Sequence, residues 1–270
     1  YGSDRIKVIS AIHNLHMVNY QKKETSRINS NYAALFADLS QADAVVVQTH
    51  LQKQDVIQRF GDCPNLYAIP HTYERPSDFP SNKKRNPFKA VFFARYAEDK
   101  KHELAIEAFA KVVKKLPQAE FHCYGTGSRL IELQALVKSL NMTRNIFLHG
   151  WCENVADVYE AAALSIISSP SESFSLTIAE SLAHGCPVVG FDVPYGPQEL
   201  IQSGANGYLV PFKATDEMAE RVLQVMMDSD LQKKLSANAR ESSKLYSEAR
   251  VKELWQALFQ TVSSSNSLTI

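Results

Sequence analysis

SSPSESFSLTIAESLAHGCP, residues 168–187, is the stretch around which the rest of the chain is arranged. The run before it, Ala163 to Ile167, is mostly apolar and reads as a buried strand ending at Ser168 and Ser169. Pro170-Ser171-Glu172-Ser173 makes a turn. A helix then starts near Ser175 or Leu176 and runs to His184, where Gly185 stops it. Pro187 opens the next strand, Val188-Val189-Gly190. Strand, polar turn, helix and strand together present a helix N-terminus to an anion. Glu172 in the turn and Glu180, eight positions later inside the helix, flank that terminus.

The first-turn N–H groups around Leu176 and Thr177 have no partner within the helix and suit a diphosphate. A carboxylate before the terminus and another a turn or two inside the helix can each accept hydrogen bonds from hydroxyl groups. A diphosphate with a hydroxylated ring at each end is a sugar nucleotide. The plainer alternative makes Glu172 a helix-start acid and Glu180 a surface acid.

Bulk properties narrow the class. The chain has 270 residues, enough for one large domain or two small ones, and 45% of them are hydrophobic. Lys+Arg and Asp+Glu balance at 29 each, so there is no global field for nucleic acid or an acidic membrane. Cys63, Cys123, Cys152 and Cys186 form no C-x-x-C pair, which predicts a reducing, cytoplasmic setting and no zinc site. Asn141-Met142-Thr143 fits a glycosylation sequon and reads as chance. No apolar run approaches a membrane span, which leaves peripheral contact at the inner membrane face open. The chain lacks an initiator Met and enters strand-like residues at Ile6, so it reads as part of a longer protein; its oligomeric state is not legible.

In chain order, residues 5–13 read as a buried strand ending at His13, with His16 three positions on. Residues 20–30 read as loop. Asn31 to Leu39 has helical spacing, Ala42 to Gln48 is a strand, His50 to Phe60 a helix and Leu66 to Pro70 a strand. That is a βαβαβ order, hence a parallel sheet. Glu74 to Pro87, with three prolines and four basic residues, reads as a solvated linker. The pattern restarts with strand Phe88 to Ala94, helix His102 to Leu116, strand Ala119 to Tyr124, helix Arg129 to Leu140, strand Ile146 to Leu148 and helix Asn154 to Ala161. After the central unit come strand Gly207 to Val210 and helices Thr215 to Met227, Leu231 to Leu245 and Glu248 to Val262. Residues 263–270 read as a frayed tail. The Asp228-Ser229-Asp230 sequence spells a D-x-D metal motif, but it lies between two helices, where Asp230 reads as an N-cap.

E-S-F-S-L-T-I-A-E followed by S-L-A-H-G-C-P-V-V resembles the E-x7-E signature of retaining glycosyltransferases of the GT-B fold. The chain also reads V-P-Y-G-P-Q-E-L-I after Asp192 and T-H-L-Q-K-Q-D-V-I-Q-R-F-G at 49–61. These are similar to the bacterial branch of poly(glycerol-phosphate) α-glucosyltransferases and serine-rich adhesin glycosyltransferases. The resemblance implies an α/β fold with two Rossmann-like domains, the first incomplete. Residues 1–80 would be the end of the acceptor-side domain, 81–87 the linker and 88–247 the nucleotide-sugar domain. Residues 248–270 would be a helix and tail packing back on the first domain.

The same resemblance implies the site. The donor would be a UDP-sugar, glucose or N-acetylglucosamine, and the acceptor a glycan polymer or protein; no metal or other cofactor is expected. Arg95 and Lys100 would contact the diphosphate, with Lys101 as the alternate if the register slips by one. Gly125 and Gly127 would line the donor, and Trp151 either stacks on the base or joins the core. Phe174, Ser175, Leu176 and Thr177 would surround the phosphates, Glu180 would hold the ribose and Glu172 the sugar. His13, or His16 in its place, would face the cleft as a hydrogen-bond partner of the sugar or leaving group. A non-catalytic partner of the same fold and a sugar-nucleotide epimerase are the rival readings. The presence of Glu172, Glu180, Arg95 and Lys100 argues against the first, and the Y-G-P and E-x7-E contexts against the second.

Overall fold

Short β-branched and aromatic runs separated by amphipathic helices favour parallel strands joined by crossovers. The computed structural model describes residues 7–15, 17–18, 27–73 and 84–264. The first unit comprises β1 (Ile9–Ala11), β2 (Met17–Val18), β3 (Arg27–Ile28), α1 (Ala33–Ala37), β4 (Ala44–Val47), α2 (His50–Phe60) and β5 (Leu66–Ala68). Among the described residues its parallel sheet has the order β1-β4-β5, and β2 and β3 form a separate antiparallel pair.

The second unit holds β6 (Asn86–Phe93), α3 (His102–Lys115), β7 (Glu120–Tyr124), α4 (Leu130–Ser139), β8 (Ile146–His149), α5 (Val155–Ala161) and β9 (Ala162–Ile167). It continues with α6 (Leu176–Ala183), β10 (Val188–Phe191), α7 (Gly196–Leu200), β11 (Gly207–Val210), α8 (Thr215–Met227), α9 (Ser229–Ser243) and α10 (Glu248–Ser264). Its strands run parallel in the order β11-β10-β9-β6-β7-β8. The chain moves outward from β6 on one side and from β9 on the other. Their adjacent C-terminal ends are therefore a topological switch point, where open α/β sheets form a ligand crevice.

Alternation along the strands sets the layers. Ala90 and Phe92 enter the core with Ile106 and Phe109 of α3 and Val222 of α8, while Val91 and Phe93 pack with Tyr159 of α5. In the first sheet, Val45 and Val47 meet Phe36 and Val56, and Ala44 and Val46 face the other way. Val251, Leu258 and Val262 of α10 close that second face, so the last helix of the chain covers the first sheet.

Several expectations need correction. The strand read over 5–13 is confined, among the described residues, to Ile9–Ala11, which pairs there with β4; residues 5 and 6 lie outside the described residues, as does His16. The helix read over 31–39 breaks into a 3-10 turn, the short α1 and a second 3-10 turn, with the Asp38 side chain capping the last. Residues 74–83 of the expected linker fall outside the described residues, but its last part is not a solvated linker. β6 already begins at Asn86, and Arg85 donates to the carbonyls of Tyr159, Ala162 and His184 at 2.6–2.8 Å. At the D-x-D sequence the N-cap of α9 is Asp228, not Asp230: the Asp228 carboxylate accepts from the N–H groups of Asp230 and Leu231.

Candidate active site

The polar turn before α6 is fixed through its main chain. The Glu172 N–H donates to the Pro194 carbonyl at 2.9 Å, and the Glu172 carbonyl accepts from Tyr195 at 2.7 Å and Gly196 at 2.9 Å. Position 196 must be glycine for this approach, because a Cβ there would lie 1.8 Å from the Phe174 carbonyl oxygen. The Y-G segment is thus the brace behind the turn. With the backbone held, the Glu172 carboxylate meets Lys100 Nζ at 2.6 Å. Lys100 is held in turn, since Ser168 at the end of β9 donates to its carbonyl at 2.8 Å.

Helix α6 begins without a side-chain cap: Ser175 occupies the N-cap position in the left-handed region, and its hydroxyl lies 3.2 Å from Thr177 Oγ1. Leu176 and Thr177 therefore bring first-turn N–H groups to the crevice uncapped, the condition in which a helix end binds an anion. A cavity of about 240 Å³ lies against them, lined also by Arg95, Lys100, Ser169, Glu172 and Ser175. A second cavity of about 240 Å³ continues past Arg95 and Thr177 to Tyr124, Gly125, Trp151 and Glu180. A third, of about 430 Å³, continues past Arg95, Lys100 and Glu172 to Asn14, Leu15 and Asn29 of the first unit. Arg95 lines all three, and its side chain is exposed, with Asp99 as a 3.5 Å partner.

The two carboxylates sit in different surroundings. Glu180 is largely buried beside apolar and aromatic groups, and burial pushes its pKa up to about 7, partly offset by the Tyr159 hydroxyl. Near it, burial and the Glu180 charge push Tyr73 up to about 12. Tyr124 stacks on Phe93 and on His149, with centroids 4.9 and 4.5 Å apart, and so gives the Glu180 cavity a fixed aromatic wall. Trp151 is 80% exposed, which removes it from the core and leaves its ring free at the rim. Gly125 is needed for close approach: a Cβ there would lie 2.1 Å from the Ala94 carbonyl oxygen.

Three expected site residues stand elsewhere. Phe174 is buried, edge-on to His71 and Tyr246, and lines none of these cavities, because the apolar ring is drawn beneath the turn and away from the crevice. Gly127 packs under the Tyr96 carbonyl, behind the loop that Gly125 lines. Lys101 points away from the crevice, held by Glu98 and by Glu103 at 3.7 Å, so the cation at the crevice is Lys100.

His13 reaches the turn without lining the cavities. Its carbonyl accepts from Ser173 Oγ at 2.9 Å and its ring stacks on His71 at 5.3 Å. Gln48 Nε2 lies 2.7 Å from His13 Nδ1 and 2.6 Å from His71 Nε2. Burial, then the His13 charge, lowers the pKa of His71. Gln48 and His71 escaped sequence reading, although Gln48 directly follows β4 and His71 lies three residues past the end of β5, in the region that supplies ligand-facing groups in such sheets.

The units are also joined at this site. The Glu199 carboxylate of α7 accepts from the His50 and Leu51 N–H groups at the start of α2, both at 2.9 Å. Tyr195 donates to Asp55 of α2 at 2.7 Å.

Comparison with known proteins follows the same outline. Residues 74–242 match the family described as glycosyl transferases group 1. The poly(glycerol-phosphate) alpha-glucosyltransferase of Bacillus subtilis is 30% identical over 249 residues, which is 90% of this chain and 36% of that protein. The poly(ribitol-phosphate) alpha-N-acetylglucosaminyltransferase of Staphylococcus aureus is 28% identical over 93% of this chain and 50% of its own length. Among solved structures, the pneumococcal O-GlcNAc transferase GtfA in complex with UDP and GlcNAc superposes with a TM-score of 0.83 at 25% identity, covering 97% of this chain and 53% of GtfA. The chain thus spans half or less of the length of these two curated relatives.

Proposed function

The chain belongs to the glycosyl transferases group 1 family, with a fold of the GT-B type, and from that premise we propose that the crevice binds a UDP-sugar and releases the sugar with retention of configuration. The observation that carries this reading is the run of three adjoining cavities that share Arg95. The aromatic cavity with Tyr124, Trp151 and Glu180 suits a base and its ribose. The cavity at the α6 terminus suits a diphosphate, and the one beyond Glu172 suits a hexose and its acceptor.

In this reading departure of UDP is the hard step. Negative charge grows on the diphosphate as the bond to the sugar breaks. The uncapped α6 terminus and Arg95 are aimed where that charge appears, so they stabilise the transition state more than the ground state. Lys100 is paired with Glu172 before donor binds; a phosphate is a second acceptor for it, and Glu172 is then open to sugar hydroxyls. Glu172 binds and orients, and no covalent bond to it is invoked. The sugar is glucose or N-acetylglucosamine and the acceptor a polyol-phosphate polymer or a protein, in line with what the relatives' names state of those proteins.

The reaction is proposed to need no metal, because the helix terminus and the cations supply the positive potential at the phosphates. Calorimetric titration of the chain with UDP in EDTA tests the donor and metal claims together. Binding should persist in the chelator; loss of binding on chelation and its return with a divalent cation would overturn the metal-free claim, and no binding under either condition would overturn the donor.

A further inference from the structure

A cavity of about 470 Å³, larger than each of the three at the crevice, lies away from them. Its walls are the segment leading into β6 and one side of α9, at the N-terminal end of β6, whereas the candidate active site lies at the C-terminal ends of the strands. Lys84, Arg85, Lys233 and Arg240 line it, and no carboxylate does. In a chain whose charges balance at 29 and 29, four cations around one hollow are a local departure from neutrality.

The four are not equivalent. Arg85 forms the floor, its guanidinium held by the carbonyls of Tyr159, Ala162 and His184. Burial pulls its pKa below the ordinary value, and the like charge of Arg240 adds to that. Lys233 has a 3.1 Å partner in Asp230 at the rim. Lys84 and Arg240 have no ion-pair partner among the described residues.

A neutral donor completes the set. Gln232 is only 8% exposed and lines the cavity, and its Nε2 has no hydrogen-bond partner. A buried amide donor without an acceptor is costly, and an anion in this hollow would both accept from it and relieve the repulsion between the guanidinium groups. Only Pro87 and Ala237 are apolar in the lining, with no exposed aromatic or aliphatic side chain to enter a bilayer.

We infer that this hollow is a second anion site, and that it holds a phosphodiester group of a polyanionic acceptor polymer at a distance from the reacting end. The fork of Arg240 and the point charge of Lys84 match a phosphate's oxygens. The volume admits the polyol or sugar on either side of the phosphate. A polymer is long enough to occupy both ends of the strands, which would retain the acceptor between transfers. The choice of a polymer rests on the proposed function; the existence of an anion site does not.

The test is titration of the chain with a short glycerol-phosphate oligomer, with and without saturating UDP. Inorganic phosphate and phosphatidylglycerol vesicles serve as separate probes. The oligomer should bind equally well with the crevice filled by UDP, and Lys84→Glu and Arg240→Glu should each weaken it by about tenfold or more. Gln232→Leu should weaken it by roughly threefold or more. All three variants should keep wild-type UDP affinity and unfold at no lower a temperature than wild type, which shows that they fold; Gln232→Leu and Arg240→Glu, relieved of the unpartnered amide and of the like charge beside Arg85, should if anything unfold higher. Competition between oligomer and UDP, or unchanged oligomer affinity in both charge variants, overturns the second site. Binding to vesicles or inorganic phosphate at least as tight as to the oligomer overturns the polymer. Should the chain bind oligomer but not UDP, the anion site stands and the donor reading falls.

Discussion

At the Glu180 end of the crevice every lining residue comes from the second unit, whereas at the Glu172 end Asn14, Leu15, Met17 and Asn29 of the first unit supply part of the wall. Glu180 is surrounded by rings and by its own domain's core, and burial alone raises its pKa to about 7. Glu172 has a lysine at 2.6 Å and a main chain tied, through Tyr195 and Gly196, to the helix that grips α2. Two glutamates that look alike in an E-x7-E motif therefore differ in what can disturb them. One depends on local burial, the other on the position of the first unit.

The largest expected effect strikes the self-contained end. Gly125→Ala would place a methyl group 2.1 Å from the Ala94 carbonyl oxygen, a backbone atom that can yield only by separating the loops after β6 and β7. A destabilisation of about 3 kcal/mol is expected, read as a fall in melting temperature of roughly 6–12 °C, with UDP affinity lost in parallel. A variant with wild-type melting temperature and UDP affinity would show that this wall is not rigid.

Glu180→Gln should act at the same end in two measurable ways. Loss of a charge-assisted hydrogen bond to the ribose should weaken UDP by about 1.5–3 kcal/mol. Stability without ligand should move the other way. Between the ordinary carboxyl value of 4.5 and about 7 the folded chain holds a proton on Glu180 that the unfolded chain has released. Its contribution is complete below the lower value and is lost as the pH rises through the upper one, an effect of up to roughly 3 kcal/mol. The glutamine variant lacks this dependence. Relative to wild type it should be more stable at about pH 8 than at about pH 5; a difference independent of pH would mean that Glu180 is not buried as described.

Much of this comparison was legible in the sequence, and unevenly so. In the second unit β9 and β10 are near-continuous apolar runs buried throughout, with Pro187 just before β10, and β11 and α8 match their expected ranges to the residue. Period and punctuation suffice where both faces of a strand are buried. The first unit was harder: β1 has only three residues, too few for an alternation to show, and α1 is five residues long between two 3-10 turns, too short for a helical period to emerge. Within the site, Arg95, Lys100, Glu172 and Glu180 gather around one crevice, and their positions after strands or beside the helix start are local facts. The burial of Phe174 and the contribution of His71 are tertiary facts. Phe174 goes inward because His71 and Tyr246, 103 and 72 positions away in sequence, form its pocket. The short α7 was missed: five residues carry too little period to show a helix, although Pro197 suits the first turn of one.

The joint between the units comes next in size. Glu199 accepts two N–H bonds at the α2 terminus, where a carboxylate also meets the helix dipole. Glu199→Ala should cost about 1–2 kcal/mol of local stability, visible as faster hydrogen exchange of the α2 amides with the α3 and α8 amides unchanged. UDP affinity should stay near wild type, since the Glu180 end does not involve α2. Equal acceleration in both units would mean that they unfold as one body and that the contrast between the two ends fails.

A small effect on UDP is also expected of Glu172→Gln, and it is the sharpest test of the comparison. UDP lacks the transferred hexose, so a residue that binds only that sugar should leave UDP alone. The variant also frees Lys100 from its 2.6 Å partner, placing an unpaired cation beside the α6 terminus. UDP should then bind as well as to wild type or up to about threefold tighter, a change under ~0.7 kcal/mol. Turnover of a UDP-sugar, as transfer or hydrolysis, should fall by about 10²-fold, because contacts to the sugar matter most as it gains charge. Asp99, 3.6 Å from Lys100, could take over the lysine and cancel the gain in UDP affinity, but it cannot produce a loss. UDP binding weakened as much by Glu172→Gln as by Glu180→Gln would place both carboxylates on the nucleotide and merge the two ends into one.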